Sequence, residues 1–256
     1  PERVLPGKVI DELKNNDRVI GGLSLECSEK ASNFYKKITK GDCFITDART
    51  AEMTKLTENA SRDVQIAFAN ELSILCEDMN INVWDLIKLT NKHPRVNILN
   101  PGPGVGGHCI AVDPWFIVHN SPTKAKIIKK AREINDLKPT WVIEKVLELA
   151  SIIKKNNSKN HLTISCYGLS FKPNIDDIRE SPALSIVNEL NNIDSFEVIA
   201  VEPNIKKIDN EAINLVTLND AITKGDIHLI LVNHDNFQTN NFTELKNVID
   251  TVGLLN

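Results

Sequence analysis

The stretch Asn100-Pro101-Gly102-Pro103-Gly104-Val105-Gly106-Gly107-His108-Cys109-Ile110-Ala111-Val112-Asp113-Pro114 constrains this chain more than any other. Two Pro-Gly pairs and a Gly-Gly exclude a regular helix or a central strand here, so the elements on either side must meet across a loop. Glycines let other groups approach the backbone closely. A cysteine at the end of such a loop has few side chains crowded in front of it. It also has backbone N–H groups nearby, of the kind that favour a thiolate and a developing oxyanion. Asp113, four residues further on, is placed to hold a water or to orient the thiol. A tight structural turn around a buried cysteine accounts for the same residues.

Long periodic segments flank the loop. Met53, Leu56, Ala60, Val64, Ala67, Phe68, Leu72, Leu75 and Met79 recur at steps of three and four, which predicts an amphipathic helix over Ala51 to Met79. Lys55, Asn59 and Arg62 fall on one face of it, a pattern that a solvated helix face explains equally well. Asn82 is placed to cap a short helix through Leu89. After the loop, Ala125, Ile128, Ala131, Ile134, Trp141, Val142, Val146, Leu149 and Ile153 continue a helical pattern that Pro139 is expected to kink or divide. Two such helices suit a dimer interface, and suit packing on each other as well.

Towards both ends the pattern changes to strands alternating with helices. Arg18 to Gly22 and Cys43 to Thr46 read as strands around a helix capped by Ser28 and ended by Gly41. The polar tract Lys154 to Asn160 marks a boundary. Beyond it Leu162 to Tyr167, Glu197 to Val201 and Ile227 to Val232 read as strands of the buried parallel type. Helices starting at Ser181-Pro182 and near Asn219 lie between them, the second stopping at Gly225. The expected fold class is α/β, in three parts. Residues 1–47 form the remnant of an N-terminal Rossmann-like sheet, residues 48–155 a central long-helix dimerisation and cysteine-loop region, and residues 156–256 a C-terminal Rossmann-like parallel-sheet domain.

Composition narrows the partners. A net charge of −4 argues against nucleic acid or an anionic membrane as the main partner, and no apolar run is long enough to span a bilayer. Cys27, Cys43, Cys76, Cys109 and Cys166 are odd in number and lack zinc-ligand spacing, as do the six histidines. Reduced thiols in a cytoplasmic chain, and no metal site, are expected. His108 beside Cys109 does not read as a hydrolase pair, because adjacent side chains diverge.

The segment GPGVGGHCIAVDP resembles the catalytic-cysteine loop of the UDP-glucose/GDP-mannose dehydrogenase family. Pro1 to Gly7, Ala51 to Leu72 and Phe171 to Pro182 carry the resemblance, in order, over nearly the whole chain. It is nearest to the branch acting on UDP-N-acetyl-D-mannosamine. The resemblance implies NAD-dependent four-electron oxidation of a UDP-N-acetylhexosamine at C6 to the uronic acid, through a cysteine thiohemiacetal and thioester, in surface-polysaccharide precursor synthesis. It implies Cys109 as nucleophile, Lys55 as oxyanion or proton partner, Asn59 assisting, Asp113 managing water and the lysine, and Glu2 in thioester hydrolysis. Arg3, Val4, Arg62, His93, Arg95, Gly106 and Lys172 match substrate-contacting positions, with Arg95 offered across a homodimer, and Arg179 is directed toward NAD. A second glutamate of the UDP-glucose enzymes is Pro6 here, which counts against UDP-glucose and leaves the hydrolytic base open. UDP-N-acetylglucosamine or another UDP-hexose is the alternative substrate. With Pro1 inside a motif and no Gly-x-Gly-x-x-Gly, the chain is expected to be a piece lacking most of the dinucleotide-binding domain. By itself it is expected to turn over little, and the alternative is a non-catalytic, dimerising nucleotide-sugar-binding module.

Overall fold

The computed structural model describes Val4 and residues 8–157, 159–205, 213–238 and 242–256. A short helix, α1 (Val9–Asn15), buries none of its residues. It precedes strand β1 (Arg18–Gly22), helix α2 (Leu25–Tyr35) and strand β2 (Cys43–Asp47), with β1 and β2 paired in parallel from Arg18↔Cys43 to Gly22↔Asp47. Helix α2 begins earlier than expected because Ser24, not Ser28, is the cap, its side chain accepting the Cys27 N–H. Ser28 is buried instead and accepts the Gly22 N–H at 2.8 Å, which ties the helix to β1. The helix stops at Tyr35, before Gly41.

Helix α3 (Ala48–Asp78) is capped by Asp47, whose side chain accepts the Thr50 N–H, and α4 (Val83–Thr90) is capped by Asn82 as expected. Past the glycine loop come α5 (Asp113–Asn120) and α6 (Lys126–Asn157). Pro139 does not divide α6, which is one helix of 32 residues with the proline inside it, supported along α3 and the C-terminal sheet. Its last turns take up the start of the polar tract read as a boundary. The face of α3 turned to α6 is also not the apolar stripe. Ala60, Asp63, Ala67, Asn70 and Ser73 are buried, while Met53, Phe68, Leu75 and Met79 are exposed. Small side chains let the helices approach closely, and the buried polar ones survive because they bond to α6: Asp63 to Arg132 and Asn135, Asn70 to Asn135, Ser73 to Lys138.

The C-terminal part is a parallel sheet of β3 (Leu162–Tyr167), β4 (Phe196–Val201), β5 (Asn214–Leu215), β6 (Ile227–Ile230) and β7 (Val248–Asp250), in the order β5-β4-β3-β6-β7. Helix α7 (Pro182–Asn191) and the second half of α6 cover one face through Val142, Val146, Ala150, Ile186 and Leu190. The other face is closed by α8 (Leu218–Lys224) and α9 (Asp235–Gln238), around Tyr167, Ala221, Phe237 and Phe242. Strand order reverses between β3 and β6, and in open sheets of this type ligands sit beyond the carboxyl ends at that point. No helix among the described residues is long and apolar enough to cross a membrane.

Candidate active site

The cysteine loop is shaped by what it presses against. The start of the loop is held from α3, where the Gly102 N–H donates to Asn70 Oδ1 at 2.9 Å. Further along, a Cβ on Gly106 would lie 2.3 Å from the Glu180 carbonyl oxygen and 2.9 Å from Phe171 Cβ, so only glycine fits. Gly107 has φ +82° and faces the Phe171 ring. The loop is therefore packed against the segment 171–182 that follows β3, which brings two regions far apart in sequence into one site.

Cys109 sits at the far end of the loop and is exposed, so the alternative of a buried structural cysteine does not hold. Its carbonyl accepts the Asp113 N–H at 2.8 Å and the Val112 N–H at 3.1 Å, closing a turn into α5. Asp113 in turn accepts a hydrogen bond from Asn59 Nδ2 of α3 at 2.5 Å. Asn59, Asp113 and the Cys109 turn are thus one linked group, and α5 is fixed to α3 by Leu56, Ala60, Ile117 and Val118. Lys55 lies one turn before Asn59 on the same face and is half-buried. Arg62 is exposed.

Lys172 follows β3 at the switch point, with its Nζ 5.6 Å from the centroid of the Phe171 ring. Two residues that the sequence reading passed over hold the backbone on either side of it. Glu202, at the end of β4, accepts the N–H groups of Leu169 (2.8 Å) and Ser170 (3.1 Å). His234, after β6, sits 3.1 Å from Glu202 and accepts the Asn174 N–H on Nδ1. With Nδ1 accepting, the ring carries its proton on Nε2 and donates to Glu202. Burial works against the Glu202 carboxylate, but the bonds from His234, Leu169 and Asn204 outweigh it and hold the pKa below its ordinary value. These residues come from the ends of different strands, and only their meeting at the sheet edge would reveal them.

Arg179 is exposed and gripped by Asp177, donating from Nε at 2.9 Å and from Nη2 at 2.7 Å. The Arg179 hydrogen bond holds Asp177 down at about 2. Gly106, packed under the Glu180 carbonyl, places the cysteine loop beside this segment. His93 and Arg95 are exposed in the turn after α4, where His93 Nδ1 accepts the Arg95 N–H at 3.3 Å. Among the described residues, no hydrogen bond joins either of them to the cysteine loop. Val4 is half-buried, and Glu2 and Arg3 lie outside the described residues.

Two models of one family match the chain: the UDP-glucose/GDP-mannose dehydrogenase family central domain over residues 49–137, and its UDP binding domain over residues 165–256. The chain belongs to the UDP-glucose/GDP-mannose dehydrogenase family. Its relatives in that family include the UDP-N-acetyl-D-mannosamine dehydrogenase of Campylobacter jejuni, 57% identical over an alignment of 244 positions that covers 93% of this chain and 58% of the relative. Among solved structures, the UDP-N-acetyl-mannosamine dehydrogenase Cap5O from Staphylococcus aureus superposes with a TM-score of 0.85 at 42% identity, over 99% of this chain and 60% of that one. The Pyrococcus horikoshii UDP-D-ManNAc dehydrogenase gives a TM-score of 0.90 at 35% identity, over 100% and 60%. The family member described here thus spans a little under two thirds of the length of these relatives. The UDP-binding match takes in the switch-point loop, Lys172 and Arg179, and the central-domain match takes in Lys55, Asn59, Cys109 and Asp113.

Proposed function

We propose that the protein to which this chain belongs oxidises UDP-N-acetyl-D-mannosamine at C6 to the uronic acid. The observation that carries the reading is the exposed Cys109, on a glycine loop whose next acidic residue, Asp113, is bound to Asn59 of α3. The choice of sugar rests on the named relatives. The proposed parts are residues 1–47 at the end of a dinucleotide-binding domain, residues 48–155 carrying the cysteine and the dimer contacts, and residues 156–256 binding the UDP-sugar.

In the proposed mechanism, Lys172 and the switch-point loop hold the nucleotide sugar, with Arg62, His93, Arg95, Val4, Arg3 and Gly106 around it. The C6 hydroxyl loses its proton toward Lys55, directly or through a water on Asp113, as a hydride leaves the carbon. The Cys109 thiolate adds to the aldehyde, forming a C–S bond and an oxyanion that Lys55 and Asn59 stabilise, and a donor so placed contributes about 3–4 kcal/mol. A second hydride leaves the thiohemiacetal carbon, making a thioester. Water held by Asp113 or Glu2 then breaks the C–S bond and releases the acid. Two NAD⁺, bound in turn, would each take up one hydride. The exposed guanidinium of Arg179 suits an anionic dinucleotide and would be one contact to it. Residues 1–256 by themselves are expected to turn over little, since β1 and β2 make only a two-stranded sheet among the described residues.

The test is turnover by the full-length protein offered UDP-N-acetyl-D-mannosamine, UDP-N-acetylglucosamine and UDP-glucose with NAD⁺. Two NADH per UDP-N-acetyl-D-mannosamine and a clear preference for it are expected. Preference for a glucose-configured sugar would remove the assignment.

A further inference from the structure

Behind the cysteine loop runs a chain of buried hydrogen bonds whose direction is fixed at one end. Asp63, Asn70, Asn135 and Arg132 are each at most 2% exposed. Asp63 Oδ1 accepts from Arg132 Nη1 at 2.6 Å and from Asn135 Nδ2 at 2.8 Å. Asn135 Oδ1 accepts from Asn70 Nδ2 at 2.9 Å, and Asn70 Oδ1 accepts from the Gly102 N–H at 2.9 Å.

An ionised carboxylate can only accept, so Asn135 must turn its NH2 to Asp63 and its oxygen to Asn70. Asn70 must then turn its own NH2 to Asn135 and its oxygen to the loop. Flipping either amide would set acceptor against acceptor and donor against donor inside a buried seam, where unmade bonds are costly. The orientation of the Asn70 amide is therefore dictated from Asp63, two helical turns away.

The same helix holds the other end of the loop, where Asn59 bonds Asp113. Helix α3 thus grips the loop at Gly102 and again at Asp113, and Cys109 hangs between the two grips. Lys55 stands on that helix as well, so its distance to the sulfur is governed by how firmly both grips hold.

We propose that Asn70, with its amide oriented by Asn135 and Asp63, is a positioning residue that sets the register of Cys109 against Lys55 and Asn59. The proposal rests on the reading of Cys109 as the nucleophile. A misplacement of about 1 Å at a reacting group costs on the order of a hundredfold in rate.

The test compares Asn70→Ala with Ser73→Ala in the full-length protein. Ser73 is buried in the same seam, accepts from Lys138 Nζ at 2.6 Å and donates to the Asn70 backbone carbonyl at 2.6 Å, but touches neither the Asn70 side-chain amide nor the loop by a hydrogen bond. Both variants are expected to lower the melting temperature. Only Asn70→Ala should lower kcat, by about tenfold or more, with KM for the UDP-sugar within about twofold. Only Asn70→Ala should speed hydrogen exchange of the 101–113 amides, again by about tenfold, while the β3 and β6 amides stay as in wild type. If Asn70→Ala does not accumulate, Asn70→Ser is read in the same way. An Asn70 variant that matches Ser73→Ala in both kcat and loop exchange would overturn the proposal. Full turnover by Cys109→Ser would instead defeat the nucleophile reading, and the exchange comparison would still decide whether Asn70 anchors the loop.

Discussion

Gly106 shows how little freedom single positions have around Cys109. A Cβ there would meet the Glu180 carbonyl at 2.3 Å, a backbone atom that cannot turn aside. Gly106→Ala should drive the cysteine loop and the 171–182 segment apart, with a stability loss of about 1–3 kcal/mol from overpacking and a larger proportional loss of kcat. Thermal unfolding alongside steady-state rates checks this, and wild-type behaviour in both would mean the loops do not need to touch. Arg179 is constrained differently. Its guanidinium is held on Asp177, so a ligand at Arg179 must compete with a carboxylate that stays ionised down to about pH 2.

Lys138 belongs to the seam between α3 and α6 rather than to the surface. Burial pushes its ammonium down to about 7, with the Glu77 carboxylate offsetting part of the cost, while Nζ donates to Ser73 Oγ and lies 3.5 Å from the centroid of the Trp141 ring. Below about pH 7 the group is charged in folded and unfolded chains alike, and the burial penalty is fully present. Between about 7 and the ordinary lysine value of 10.5, the unfolded chain keeps a proton that the folded chain has released, so stability rises with pH. Each pH unit in that window corresponds to about 1.4 kcal/mol at most. Lys138→Met should flatten the slope, and urea unfolding at pH 7 and pH 9 would show it. Parallel slopes for the two proteins would contradict the assignment. This seam is also where sequence reading fell short. Periodicity located α3 within a few residues of its ends, because its cap and length are local properties. It left open whether Phe68 and Leu75 pack on the second long helix or in a dimer interface, and it passed over Asp63, Asn70 and Ser73, because which face is covered depends on a partner element far away in sequence. Cys109 and Asp113 stood out as candidates from the loop, and Asn59 from the family resemblance. Asn70, Asn135, Glu202 and His234 acquire meaning only when α6 or another strand arrives.

At the scale of the molecule, α6 joins the two halves of the site. Its first part carries Asn135 against α3, and its second part covers the C-terminal sheet through Val142 and Val146. The apolar stripe left open on α3, with Phe68 51% and Leu75 46% exposed, supports the proposed homodimer through the central helices. Leu75→Glu should leave the full-length protein monomeric in sedimentation, and an unchanged dimer mass would place the interface elsewhere. The central claim concerns the thiol, and it is tested most directly by quenching the full-length enzyme during turnover of UDP-N-acetyl-D-mannosamine and mapping its peptides by mass. A uronyl adduct on the peptide containing Cys109, absent from Cys109→Ala, is the predicted result. A Cys109→Ala enzyme that still releases two NADH and one acid per sugar would contradict it.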